Sequence, residues 1–405
     1  MAPAVAVAIV AVGNADLLEQ SLASLREHAG GEPPFEVVIV LNGATDDVRA
    51  CVTREAPDAL VVDSPVNLGT GGGFNRAFAA TDAPYMVIAH DDSQVTPGWL
   101  TPLVRRMEED PSVGAVGGRI EGFDGHTQVM GGLIFRDGTS HPEWAGGAPP
   151  PDLVTMRRDV DYHGGLGLLI RRRAWDAVGG FDDTSYYPGY YPDADLCFAL
   201  RAAGWRVRYE PDSVILHHGG RSTTAPFREF IARSNREAFA ARHADDLAAH
   251  GPARPGDAVA VAAEVQRMLV TAVPDRAPAA VPDPAAAALL RDRLARPDLE
   301  YLRMERDVWR RFATHQTARL DAVRDQVAAT DASRRSWQQV ARVAGEDRDR
   351  WRARAADISA HAADVTDALG RTGDALERTT DALVTVTGSG WWRLGRRARR
   401  LLGRP

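Results

Sequence analysis

Up to Asp92 the apolar positions come in short unbroken runs separated by polar turns. The runs are Val5-Ala-Val-Ala-Ile-Val-Ala-Val12, Phe35-Glu-Val-Val-Ile-Val-Leu41, Leu60 to Val62, and Tyr85-Met-Val-Ile-Ala89. Runs of this length, rich in β-branched residues and bounded by Gly, Asn and Asp, predict strands buried on both faces. Between them the spacing turns helical. Leu18, Leu22 and Leu25 share a face of a helix over 17–27 with Asp16 as its N-cap, a second helix runs to about Glu55, and a third opens after Asn67. Strands alternating with helices imply right-handed crossovers and a doubly wound, mostly parallel α/β sheet.

The rhythm continues more loosely. A helix is expected after Trp99 as far as Glu109, then a strand at 113–118 and a Gly- and Pro-rich insertion over 122–152 facing an acceptor. The stretch from Tyr162 to Arg172 reads as a strand with close backbone approach, followed by a helix near 173–178 and the aromatic loop Tyr186-Tyr-Pro-Gly-Tyr-Tyr-Pro192. Asp193 sits at or near the N-cap of the next helix, and strands at 205–209 and 214–216 complete the core.

Chemistry enters where the fourth run ends in Asp91-Asp92. Ligands of open α/β sheets collect at the carboxyl ends of strands, and adjacent acids repel unless a cation or a metal-bound phosphate joins them. Capping of a helix from Pro97 onward is the competing reading. The run Gly69 to Gly73 also has two readings. Its amides could approach a diphosphate at a helix N-terminus, or its missing side chains could let the helix pack closely. It does not follow the first strand, so it is no dinucleotide fingerprint.

Composition narrows the partners. Of 405 residues 44% are hydrophobic and 25% charged, ordinary for a globular chain, and the net charge of −7 offers no basic field for nucleic acid. All 48 basic residues are Arg, and the two cysteines, Cys51 and Cys197, lie far apart without metal-type spacing, which suits a reducing compartment. With neither a leader-like start nor an apolar run long enough to span a bilayer, the expected location is cytoplasmic.

Five motifs now stand in order: Asn42-Gly-Ala-Thr-Asp46, Asn67-Leu-Gly-Thr-Gly-Gly-Gly-Phe-Asn75, the acids after the fourth strand, Gly179-Gly-Phe-Asp-Asp183 with Asp193-Ala-Asp-Leu-Cys197, and His217-His-Gly-Gly-Arg-Ser222. Together, over roughly 5–245, they resemble an inverting family 2 glycosyltransferase of the GT-A fold, nearest the bacterial rhamnosyl- and galactofuranosyltransferases of cell-surface polysaccharides. The resemblance implies a UDP-, dTDP- or GDP-linked sugar donor and a glycan or lipid-linked acceptor. It makes Asp193 the base, with Asp92 and His217 (or His218) as ligands of Mg²⁺ or Mn²⁺. Val12, Asn42, Asn67, Gly69, Gly72, Asn75 and Asp91 would bind the nucleotide-sugar, and Trp99, Tyr191 and Asp195 would face the acceptor. The chain departs from the pattern at His90, Pro192 and Leu41, where acids are usual, and at Ala199, where Arg is. A catalytically degenerate scaffold is therefore the second reading. A nucleotidyltransferase, releasing pyrophosphate, is the third, but its basic phosphate-loop residue is absent.

Residues 1–250 are thus expected to form the catalytic domain and 251–285 a Pro/Ala-rich linker. Residues 286–387 read as helical, with a sparse heptad through Ile358, Ala362, Val365, Leu369, Leu376, Leu383 and Val386 that suits a coiled coil and a homo-oligomer. The tail 388–405 holds six Arg, no acid, and Trp391, Trp392, Leu394, Leu401 and Leu402, a composition suited to an anionic membrane surface. The expected location is then the inner face of the membrane, held peripherally.

Overall fold

The computed structural model describes residues 4–141, 151–219, 224–252, 258–274, 276–278 and 283–343. The chain opens with β1 (Val5–Ala11), α1 (Ala15–Glu27), β2 (Phe35–Asn42), α2 (Asp46–Glu55), β3 (Leu60–Ser64), α3 (Gly69–Ala79) and β4 (Tyr85–Ala89). Next come β5 (Ser93–Val95), α4 (Thr101–Glu109), β6 (Val113–Gly122), β7 (Thr127–Val129), β8 (Leu133–Ile134) and β9 (Ser140–His141). Then follow α5 (Pro151–Thr155), β10 (Arg158–Asp159), β11 (Leu168–Arg171), α6 (Arg172–Val178), α7 (Pro192–Ala202) and β12 (Arg206–His217). The rest is helical: α8 (Ala225–Arg242), α9 (Ala244–Leu247), α10 (Ala258–Thr271), α11 (Pro284–Leu294) and α12 (Asp298–Val343).

The large sheet has the order β10-β12-β6-β11-β4-β1-β2-β3. Strands β1 to β4 are mutually parallel, β12 is parallel to β6, and β11 alone runs against both its neighbours. This is the mostly parallel α/β class expected, followed by a helical region. Burial on both faces explains the unbroken apolar runs. Val5, Val7, Ile9, Ile39 and Val87 meet Leu18, Leu22 and Leu25 of α1 and Met107 of α4 on one side. Ala6, Ala8, Val38, Val40, Met86 and Ile88 meet Phe74 and Phe78 of α3, Trp175 of α6 and Phe198 of α7 on the other.

Several local expectations are corrected. The N-cap of α1 is Asn14, whose Oδ1 accepts from the Leu17 amide at 3.3 Å, while Asp16 sits in the first turn beside the positive helix end. Only Leu168–Arg171 of the stretch beginning at Tyr162 is strand, because Gly167 turns the chain at φ 70° just before it. The strands expected at 205–209 and 214–216 are one, β12, whose register shift between Glu210 and Val214 absorbs Pro211 in a bulge. Strand β5 was not anticipated. It pairs Ser93 with His217, Gln94 with Leu216 and Val95 with Ile215.

The stretch 251–285 is not a bare linker. It holds α10, whose Val265 and Met268, with Ala272 just beyond, are buried in the core. Their spacing is helical, but Pro and Ala around them mask it. The first compact unit extends to Arg306. Within it, Arg293 of α11 donates to the carbonyls of Gly179 (2.6 Å) and Gly180 (2.9 Å), and the Tyr301 hydroxyl donates to Asp183 at 2.6 Å. The heptad positions from Ile358 onward and the basic tail lie outside the described residues. Among the described residues no helix is long and apolar enough to cross a membrane.

Candidate active site

The acids after β4 do not cap a helix. They sit in a turn where Ser93 Oγ donates to the His90 carbonyl (2.8 Å) and accepts from the His90 amide (3.2 Å), and the chain then enters β5. Helix α4 starts later, with Leu100 at its N-cap and no side-chain capping bond. The pairing of β5 with β12 carries His217 to this turn. His217 Nε2 lies 3.2 Å from Asp92 Oδ1, and the His218 amide donates to the Asp92 carbonyl at 3.1 Å. His90 Nδ1 is 3.9 Å from the same Asp92 oxygen, and its ring meets that of His217 edge-on at 5.5 Å.

His90, Asp92 and His217 each offer one donor atom, and the three lie within 4.8 Å of one another. One carboxylate and two imidazoles suit a divalent transition ion better than Mg²⁺, which prefers an all-oxygen shell. The residues therefore fit a divalent cation. The electrostatics agree. Burial, the largest single influence on Asp92, works to raise it, yet His217, His90 and its own backbone amide together hold the carboxyl below its ordinary value. Asp91 is pushed up to about 6, first by desolvation and then by Asp92. Desolvation and then His217 hold His90 below the usual imidazole value, although 34% of its side-chain surface is open to solvent.

Asp193 stands in the first turn of α7, whose N-cap is Tyr191 in the left-handed region. Its Oδ2 accepts from the Gly165 amide at 2.9 Å and its Oδ1 from the Ala194 amide at 3.0 Å. Desolvation raises its carboxyl above the ordinary value, with those two amides opposing. A Cβ added at Gly165 would lie 3.9 Å from Asp193 Cβ and 4.0 Å from Ile88 Cδ1, so Asp193 and the end of β4 flank one loop. Beneath that loop His163, fully buried, sets its ring nitrogens 2.7 Å from the carbonyl oxygens of Gly164 and Gly118. Sequence reading missed His163. Its signal was Gly117, where a Cβ would fall 2.2 Å from the ring.

The expected donor-binding residues divide. Val12 is exposed at the carboxyl end of β1, whose register sets Ile9 against Ala89, so Val12 and the acids share an edge. Asp91 lies in the turn after β4, while the remaining five are engaged by neighbouring protein groups. Asn42 accepts from the Leu68 amide at 2.7 Å and donates to Asn67 Oδ1 at 3.0 Å, while Asn67 Oδ1 also accepts from the Gly69 amide at 2.8 Å. The Thr70 amide donates to the Pro188 carbonyl at 2.7 Å. The amides of Leu68, Gly69 and Thr70 are thus taken by protein acceptors and closed to a phosphate. The glycines serve packing. Added Cβ atoms would meet Pro188 O at 2.9 Å from Gly69, Leu68 Cβ at 3.0 Å from Gly72, and Val10 at 2.8 Å from Gly73. Asn75 clasps Phe181, accepting from its amide (2.9 Å) and donating to its carbonyl (3.0 Å).

On the acceptor side, Trp99 is buried and meets Phe35 edge-on at 6.5 Å, so it belongs to the core. Asp195 is buried too, accepting from the Tyr186 hydroxyl at 3.0 Å and facing His243 Nε2 at 2.8 Å. It ties α7 to the end of α8. Tyr191 is half-buried, its hydroxyl donating to the Gly138 carbonyl at 2.9 Å. A second cluster, Asp161, His250 and Glu264, is fully buried. Arg267 reaches both of its carboxylates and Arg201 comes within 3.4 Å of Asp161, so guanidinium groups already supply the countercharge and no ion is assigned there.

The family profile for glycosyl transferase family 2 matches residues 6–173. The chain is 31% identical over 228 residues to the N-acetylglucosaminyl-diphospho-decaprenol L-rhamnosyltransferase of Mycobacterium tuberculosis, covering 51% of this chain and 73% of that protein. It is 30% identical over 257 residues to the pre-mycofactocin glycosyltransferase of the same organism, covering 61% of this chain and 48% of that one. Among solved structures, a mannosyltransferase from Pyrobaculum calidifontis in complex with GDP-Man and Mn²⁺ aligns at a TM-score of 0.45 and 20% identity, over 76% of this chain and 81% of that one.

Proposed function

Because the chain belongs to glycosyl transferase family 2 and is a glycosyltransferase, we propose that it moves a sugar from a nucleotide-diphospho-sugar to a hydroxyl of a glycan or lipid-linked acceptor with inversion. The observation that carries this reading is the loop shared by Asp193 and the end of β4, beside the His90–Asp92–His217 cluster. Asp193 takes the proton of the acceptor hydroxyl as that oxygen bonds to the anomeric carbon. The bond from that carbon to the diphosphate oxygen breaks, and the leaving group departs on the opposite face. Amides of Gly165 and Ala194 hold the carboxylate in place, and its raised value makes it a better proton acceptor than an exposed Asp. His90, Asp92 and His217 would hold a divalent cation, which when bound neutralises charge developing on the leaving nucleoside diphosphate.

The rhamnosyltransferase relative supports a lipid-linked saccharide acceptor and places an L-rhamnosyl donor first among those to test. We assign membrane contact to the basic, Trp-containing segment 388–405 and self-association to 358–386. The test is nucleoside diphosphate release from UDP-, dTDP- and GDP-sugars with membrane glycolipid extract, with Mn²⁺ and Mg²⁺ compared. One donor should turn over, faster with Mn²⁺, and Asp193→Asn should cost about 10²–10⁴-fold. Full activity in Asp193→Asn would remove the assigned base. Pyrophosphate release would replace the reaction by nucleotidyl transfer.

A further inference from the structure

We infer that Gln128, on the β6–β7 hairpin, is the positioning residue that presets His217 as a ligand; this rests on the cation reading of the cluster above. Gln128 touches His217 twice. Its Nε2 donates to the His217 carbonyl at 3.1 Å, and its Oε1 lies 2.8 Å from His217 Nδ1. A carbonyl oxygen only accepts, so the first bond fixes which end of the amide is nitrogen and leaves oxygen for the ring. That oxygen in turn only accepts, so Nδ1 must carry a hydrogen. Nε2, 3.2 Å from Asp92 Oδ1, is then the atom of the neutral ring that presents a lone pair. A lone pair aimed at a carboxylate oxygen is unfavourable unless a positive charge lies between them, a proton on Nε2 without metal and the cation when one is bound.

The hairpin is built to hold this contact. Strand β7 pairs Val129 with Ile120 and Thr127 with Glu121, and β12 sets His217 against Gly122 of the same β6. Phe123 at the hairpin tip stacks on His218 at 4.1 Å between centroids. Gly219, at φ 70°, would bring a Cβ to 3.5 Å from Gln128 Nε2, so the chain after His217 passes close over the amide. Outer partners of this kind fix the tautomer and direction of a ligating imidazole, and losing one commonly weakens metal affinity about 10- to 100-fold.

The experiment titrates Mn²⁺ into the full chain without nucleotide, following free Mn²⁺ by its paramagnetic resonance signal. Wild type, His217→Ala, Gln128→Leu and Gln128→Glu are compared. Gln128→Leu should bind Mn²⁺ about 10- to 100-fold more weakly. Gln128→Glu, which keeps an acceptor for Nδ1 but loses the donor to the His217 carbonyl, should bind more tightly than Gln128→Leu and more weakly than wild type. Gln128→Ala carries the same expectation as the leucine variant should that one not fold. Wild-type affinity in Gln128→Leu, with binding lost in His217→Ala, overturns the role of Gln128 and leaves the cation site standing. Binding no stronger in wild type than in His217→Ala overturns the site and the inference together.

Discussion

At the scale of residues, the burial that would equip Asp193 for the proposed proton transfer acts against the fold. Its carboxyl is raised by desolvation, so the folded chain holds that proton more tightly than the unfolded one. Stability contributed by this group is present at low pH and lost as pH rises through the folded value. Activity runs the other way. The basic form fills as pH rises through that value, so kcat/KM climbs along an acidic limb that lies above the ordinary carboxylate range. Asp193→Asn should therefore lose turnover with little loss of thermal stability, since its carbonyl can still accept from Gly165 and only the Ala194 amide loses its acceptor. A melting temperature well below that of wild type would show the carboxylate to be a structural cap.

At the scale of elements, α3 shows what a chain pattern can and cannot disclose. The unbroken runs of β1, β2 and β4 made the sheet legible, because burial on two faces writes itself into adjacent positions. The acids beyond β4 were legible as a candidate site because they end such a run. The glycines of α3 were not, since their meaning depends on Val10, Pro188 and Leu68, which approach from elsewhere in the chain. Strand β5 was hidden because Ser93–Val95 is too short for any period to show. With β5 unseen, so was the register that pairs Ser93 with His217. Gln128 was hidden within a Gly-rich insertion assigned to the acceptor. Asn75 tests the corrected role. Asn75→Ala would leave the Phe181 amide and carbonyl without their partner. It should cost about 1–3 kcal/mol in denaturant unfolding, while donor affinity of the folded protein stays unchanged. A weaker donor KM at unaltered stability would return Asn75 to the binding site.

At the scale of the whole molecule, composition places the boundary too early. A chain ending at 285, where the Pro/Ala-rich segment ends, loses Arg293, Arg296 and Tyr301. Asp183, which is buried, then has neither the Arg296 guanidinium nor the Tyr301 hydroxyl. Removing partners from a buried charge commonly costs several kcal/mol. The chain ending at 285 should therefore aggregate or melt far below one ending at 306, as compared by differential scanning fluorimetry. Equal melting temperatures would show α11 to be dispensable. The closed first turn of α3 has a consequence in time rather than in space. Under the proposed chemistry, a bare diphosphate finds the amides of Leu68, Gly69 and Thr70 already engaged and two carboxylates, Asp91 and Asp92, ahead of it. None of these described groups favours it alone. A divalent cation held by His90, Asp92 and His217 would then have to bind before the nucleotide or together with it. Chelation would then stop the cycle at its opening encounter rather than at bond making.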